Sequence, residues 1–159
     1  MQIPSKARAV IIGGGVIGCS IAYHLGKLGW KDVVLLERKQ LTCGTTWHAA
    51  GLIAQLRATQ NMTRLAKYSQ ELYFGLEAET GVATGFKRNG SITVALTDER
   101  MEELRRSAAM ARAFGVDIDE ITPGDIAGRY PGLTTGDVIG GVWLSKDGQA
   151  DPVNITQAL

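Results

Sequence analysis

The chain has 159 residues, 45% hydrophobic and 21% charged, with a formal net charge of +1. That is one domain's worth of soluble globular sequence, and so even a charge balance argues against a nucleic-acid or anionic-membrane partner. Cys19 and Cys43 have neither a CxxC spacing nor metal-type neighbours, so no disulfide framework or metal site is expected. Met1 to Lys6 lead almost directly into the first predicted element, so no signal peptide is expected, and no apolar run approaches the ~20 residues of a membrane span. The expected location is the cytoplasm, or the mitochondrial matrix in a eukaryotic source.

The apolar, β-branched run from roughly Arg8 to Ile12 predicts a β-strand, and it breaks into Gly13-Gly14-Gly15-x-x-Gly18. Val16, Ile17, Ile21, Ala22, Leu25 and Leu28 then recur at helical spacing, with Gly29 as a left-handed stop. Val33 to Leu36 is a continuous apolar strand of the kind buried in a parallel sheet, and it ends at Glu37. Strand, glycine turn, helix and strand make a βαβ unit that binds the diphosphate of a dinucleotide. Gly13 permits the sharp turn, Gly15 the close approach of backbone to phosphate, and Gly18 the packing of helix on strand. The N–H groups and positive dipole end of the helix face the phosphate charge. Glu37, about 20 residues beyond the last glycine, is placed to accept hydrogen bonds from an adenosine ribose. Glycines and acid alone permit either NAD or FAD, and a nicotinamide-dependent dehydrogenase remains an alternative at this point.

The segment Gln40 to Leu52 departs from a simple NAD domain. It places hydroxyls (Thr45, Thr46), an indole (Trp47), an imidazole (His48) and small residues (Gly44, Ala49, Ala50, Gly51) directly after the ribose acid. Small residues let a flat ring system lie near the backbone, and hydroxyls at a helix start address a second phosphate. Neutral imidazole carries a nucleophilic lone pair near pH 7. His48 reads either as such a nucleophile or as a packed side chain beside Trp47, and Trp47 as core, as a ring-stacking partner, or both. His24 reads as structural or surface.

Leu52 to Leu56 is a short strand or a helix end. Helical periodicity returns from Met62 to Leu76, with Gly81 as C-cap. Ser91 to Leu96 alternates with period two, the mark of a half-buried antiparallel strand. A helix from Asp98 to Phe114 has acids at its start and arginines later, matching its dipole. Val116 to Ile121 reads as a strand, and Thr122-Pro123-Gly124-Asp125 as a capped helix start closed by Pro131. Val138 to Leu144 is a strand, Lys146-Asp147-Gly148 a turn, and Asp151-Pro152 the start of a last helix running uncapped to Leu159.

The chain resembles the flavoproteins that oxidise N-methylglycines, sarcosine dehydrogenase and dimethylglycine dehydrogenase, within the wider glycine-oxidase/D-amino-acid-oxidase group. The resemblance rests on the glycine motif, on Leu35-Leu36-Glu37-Arg38, and above all on Leu41-Thr42-x-Gly44-Thr45-Thr46-Trp47-His48-Ala49-Ala50-Gly51-Leu52. It continues through Glu79-Thr80-Gly81, Asn89-Gly90-Ser91 and Asp147-Gly148-x-x-Asp151-Pro152. It implies FAD contacts from Val16, Ile17, Glu37, Arg38 and Gly44 to Leu52, with His48 joined covalently to the flavin. Cys43 stands where relatives carry a small residue and is expected to be a neutral replacement. The resemblance further implies an N-methyl amine substrate, an electron-transfer flavoprotein and folate as partners of a longer enzyme. The expected fold is α/β: a Rossmann-type FAD-binding βαβ unit over 1–60, and the start of an antiparallel α+β substrate domain over 61–159. The chain is expected to be an N-terminal part whose substrate-side residues lie past Leu159, and inactive in isolation; an inactive FAD-binding module is a further alternative.

Overall fold

The computed structural model describes residues 4–159. The order is β1 (Ala9–Ile12), α1 (Val16–Lys27), β2 (Val33–Leu36), a 3-10 turn (Thr46–His48), β3 (Leu52–Ile53), α2 (Gln60–Thr80), β4 (Ser91–Ala95), α3 (Asp98–Ala113), β5 (Asp119–Ile121), α4 (Pro123–Arg129), β6 (Gly140–Leu144), β7 (Gly148–Gln149) and α5 (Pro152–Ala158). These fall into two compact units that interleave along the sequence. The first comprises the described residues up to Leu52, with Leu72–Phe86 and Ala150–Leu159; the second comprises Ile53–Glu71 and Lys87–Gln149.

In the first unit β1 and β2 pair in parallel, from Ala9 opposite Val33 to Ile12 opposite Leu36. Arg8 N–H donates to the Asp32 carbonyl at 2.9 Å and Gly13 N–H to the Leu36 carbonyl at 2.8 Å, so the ladder is extended at both ends. α1 packs on both strands and against α5. It stops as its glycine predicts, with Gly29 at φ +81° and Trp30 N–H reaching back to the Leu25 carbonyl at 3.0 Å. Glu79 of α2 accepts from Lys27 Nζ at 2.7 Å and from the Tyr23 hydroxyl at 2.8 Å, while Leu76 beneath it is fully buried. α5 begins under Asp151, whose carboxylate accepts from the N–H groups of Val153 at 2.8 Å and Asn154 at 3.0 Å.

In the second unit the sheet order is β4-β6-β5, with both pairings antiparallel. α3 covers it, and the core is Ala95, Met101, Leu104, Ala108, Ala111, Val116, Ile118, Val142 and Leu144. Thr97 caps α3 by accepting from Arg100 N–H at 3.2 Å. Thr122 and Asp125 form the expected reciprocal capping box at α4, with proline in its first turn.

Three boundaries differ from expectation. Ladder pairing of β5 begins at Asp119 rather than Val116, because Val116 and Ile118 enter the core by their side chains alone. β6 begins at Gly140 because Val138 N–H is spent in a turn on the Thr135 carbonyl at 3.2 Å. Gly148, expected in a turn, opens the two-residue strand β7, and neighbouring Gln149 exchanges backbone hydrogen bonds with Lys87 at 2.8 and 3.0 Å. Of the two readings of Leu52 to Leu56, the strand prevails, over Leu52–Ile53 only.

Candidate functional site

The glycine turn is built by sterics. Gly13 has φ +110°, a conformation that side-chain-bearing residues rarely adopt. A Cβ on Gly18 would overlap the Gly13 carbonyl oxygen, so α1 can sit this close to the turn only with glycine there. A Cβ on Gly15 would lie 3.0 Å from Thr46 Oγ1. α1 therefore starts from an open turn, with no acidic residue in its first turn to oppose an anion. The hydroxyl of Thr46, a buried residue of the 3-10 turn, accepts from Val16 N–H at 3.1 Å and supplies the cap that Gly15 cannot.

Glu37, at the end of β2, is tied back to the same turn. Its Oε2 accepts from Gly14 N–H at 2.8 Å, and its Oε1 accepts from Lys39 N–H at 3.1 Å and from the Cys43 thiol at 3.6 Å. The Gly14 bond, followed by that from Lys39, holds the carboxyl below the usual carboxylate range. Thr42 N–H donates to the Gly14 carbonyl at 2.8 Å, so Gly14 is held from both sides.

These residues open onto a cleft of about 820 Å³, within the range of about 300–1,000 Å³ usual for small-molecule sites. Gly13, Gly15, Val16, Ile17, Gly18, Glu37, Gly44, Thr45, Thr46 and Ala49 line it, together with Ile21 and Leu25 of α1. Arg38, Trp47, His48, Ala50, Gly51 and Leu52 do not line it. Trp47 and His48 sit on the 3-10 turn with ring centroids 3.8 Å apart, both exposed, and Leu52 is exposed as well. Gly51 has φ +72° and is packed so closely on Ala150 that a Cβ would strike its carbonyl oxygen, which gives this glycine a structural requirement of its own. His24 Nδ1 lies 2.6 Å from the Ser20 carbonyl within α1, a local helix contact.

Two contributors were not among the expected site residues. Gly14 supplies both groups that fix the loop after β2, and Cys43 reaches the Glu37 carboxylate itself. Three consecutive glycines were the only sequence signal for the first; the second depends on a chain reversal at Thr42 that no local pattern announces. Cys19 and Cys43 are both free thiols.

A parallel βαβ unit with a glycine turn, a helix N-terminus and an anchored acid facing one cleft defines a dinucleotide-binding protein. The family model of the FAD dependent oxidoreductases (DAO) matches residues 8–159, and the chain belongs to that family. Its cofactor class is accordingly FAD, which decides the choice between NAD and FAD left open by the glycine motif. The chain is 39% identical over 158 residues to sarcosine dehydrogenase of Homo sapiens, covering 99% of this chain and 17% of that protein. It is 41% identical over 158 residues to dimethylglycine dehydrogenase of Homo sapiens, covering 99% and 18% respectively. It is also 38% identical over 159 residues to the pyruvate dehydrogenase phosphatase regulatory subunit of Mus musculus, covering 100% and 18%. Among solved structures it matches L-proline dehydrogenase from P. horikoshii with a TM-score of 0.91 and 32% identity, over 98% of this chain and 41% of that one. The chain thus spans less than a fifth of the length of these curated relatives. No helix among the described residues is long and apolar enough to cross a membrane.

Proposed function

We propose that this chain is the FAD-binding portion of an enzyme that oxidatively demethylates an N-methyl amino acid, sarcosine or dimethylglycine, with the flavin tethered through His48. The observation that carries the reading is the site itself. A glycine cradle, an anchored carboxylate and a hydroxyl-bearing turn share one cleft, in a chain similar from end to end to two such dehydrogenases.

In this reading α1's N-terminus and the hydroxyls of Thr45 and Thr46 take the diphosphate, and Glu37 takes the ribose diol. The exposed residues Trp47 to Ala50 and Leu52, with buried Gly51 between them, lie along the remainder of the cofactor, with His48 as the attachment point and Arg38 beside the adenosine. When bound, FAD supplies the two-electron acceptor for the substrate's N-methyl C–H bond, after which water releases the methyl carbon as formaldehyde. An electron-transfer flavoprotein and folate are the partners expected of the whole enzyme, in the cytoplasm or the mitochondrial matrix. The segment from residue 61 onward opens the substrate domain.

Acid precipitation of the full-length protein tests the tether. The wild-type pellet is expected to stay yellow, whereas His48→Ala is expected to release its flavin into the supernatant. Flavin released by the wild type would refute covalent attachment. A second reading is a flavin-binding subunit without turnover, favoured by the similarity to a protein named as a regulatory subunit. Formaldehyde production from sarcosine or dimethylglycine by the flavin-loaded full-length protein separates the two.

A further inference from the structure

The ring of contacts around Glu37 is more specific than ribose recognition requires. An ionised carboxylate offers about four acceptor positions. Lys39 N–H and the Cys43 thiol occupy two on Oε1, and Gly14 N–H occupies one on Oε2. The Arg38 N–H adds to the same ring, and the carboxylate so held lines the cleft.

The thiol comes to Glu37 through its neighbour. Thr42 is buried and has φ +70°, left-handed backbone that a β-branched residue seldom adopts. With Thr42 in that conformation its own N–H meets the Gly14 carbonyl at 2.8 Å and the next side chain meets Glu37 Oε1. Cys43 N–H closes the reversal on the Gln40 carbonyl at 3.3 Å. A left-handed residue that is not glycine persists only where its surroundings over-determine it, and the bonds from Thr42 and Cys43 to the two ends of the Gly14–Glu37 pair are those surroundings.

We propose that Cys43, set by Thr42, is a positioning residue: its thiol holds Glu37 Oε1 and so fixes the orientation in which the carboxylate is offered to the ribose diol of the dinucleotide. Cys43 is then not a neutral filler of a small-residue position. It acts through Glu37, touches no reacting atom, and serves the cofactor site on which the proposed function rests. By favouring the ionised carboxylate, its hydrogen bond acts in the same direction as those of Gly14 and Lys39.

The test uses the full-length chain in a His48→Ala background, stripped of flavin so that FAD binding is reversible. Affinity is read from flavin fluorescence across an acid-to-neutral pH series. Cys43→Ala is expected to weaken FAD binding about fivefold, the loss of one hydrogen bond to a charged group. It should also move the acid limb of binding to higher pH. Cys43→Ser, which keeps a donor, should restore affinity to within about twofold and return the acid limb. In a Glu37→Gln background Cys43→Ala should add no further loss. Equal weakening by Ala and Ser, or an undiminished Cys43→Ala effect on Glu37→Gln, would overturn the positioning role while leaving FAD binding intact. Failure of the unsubstituted Cys43 protein to bind FAD at all would overturn the cofactor reading together with it.

Discussion

Glu37 carries most of the site's electrostatics, and its behaviour with pH follows from its donors. The Gly14 and Lys39 N–H groups bind the ionised form, so its folded-state pKa lies below the unfolded value. A carboxyl depressed in this way contributes stability that is fully present above the ordinary carboxylate pKa and is lost as pH falls through the lower folded value. Glu37→Gln removes that contribution. Its melting temperature should therefore fall less between neutral and acid pH than the wild type's, the two curves converging at the acid end. Thermal melts at a series of pH values measure this, and parallel curves would show that Glu37 gains nothing from its donors. Cys19 contrasts with Cys43: burial, with the Glu37 charge adding to it, pushes its thiol up, which suits a packed side chain.

At the scale of elements, what was legible in the sequence followed how local each cause is. β1, the glycine turn, α1 and β2 could be read because a strand period, a helix period and steric punctuation all lie within some thirty residues. The capped start of α4 was legible for the same reason. The 3-10 turn at Thr46–His48 was not, since one turn has no period, and neither was the cradle around Glu37, whose bond to Gly14 joins residues 23 apart. Asp147 is the clearest case. In sequence it belongs to a turn, yet it is 4% exposed and joins segments far apart in the chain. Its Oδ1 accepts from Gln55 N–H at 2.9 Å and its Oδ2 from the Ser91 hydroxyl at 2.7 Å, and Gln55 passes its own amide to buried Gln70 at 2.5 Å. Asp147→Ala would leave the buried Gln55 N–H and the half-buried Ser91 hydroxyl without their acceptor, at a cost of about 3 kcal/mol, whereas Asp147→Asn keeps one acceptor and should cost about half as much. Denaturant unfolding of the full-length protein gives both numbers. Equal, small losses would mean that solvent replaces the carboxylate and that the network does not hold β4's start in place.

For the molecule as a whole, the question is what these 159 residues do by themselves. β1 is hydrogen-bonded to β2 and to no other strand among the described residues. Along that strand Val10 is 55% and Ile12 86% exposed, and on the adjoining helix Ile17 is 74% and Ile21 46% exposed. A parallel pair of strands is an arrangement found covered on its faces, and an uncovered edge beside apolar side chains templates association. The cofactor cleft is lined by the same Val10, Ile12, Ile17 and Ile21, so any association through this face competes with the cleft for the same side chains. Residues 1–159 expressed alone should therefore bind a hydrophobic dye such as ANS and elute from a sizing column above monomer mass. The full-length protein should bind far less dye per molecule. Saturating FAD should lower the fragment's dye signal in part, because the ligand covers the cleft end of the face but leaves the β1 edge unpaired. A monomeric fragment with no dye binding would mean that this apolar face is closed within the 159 residues in solution, and with it the expectation that the isolated chain is inactive would lose its physical basis.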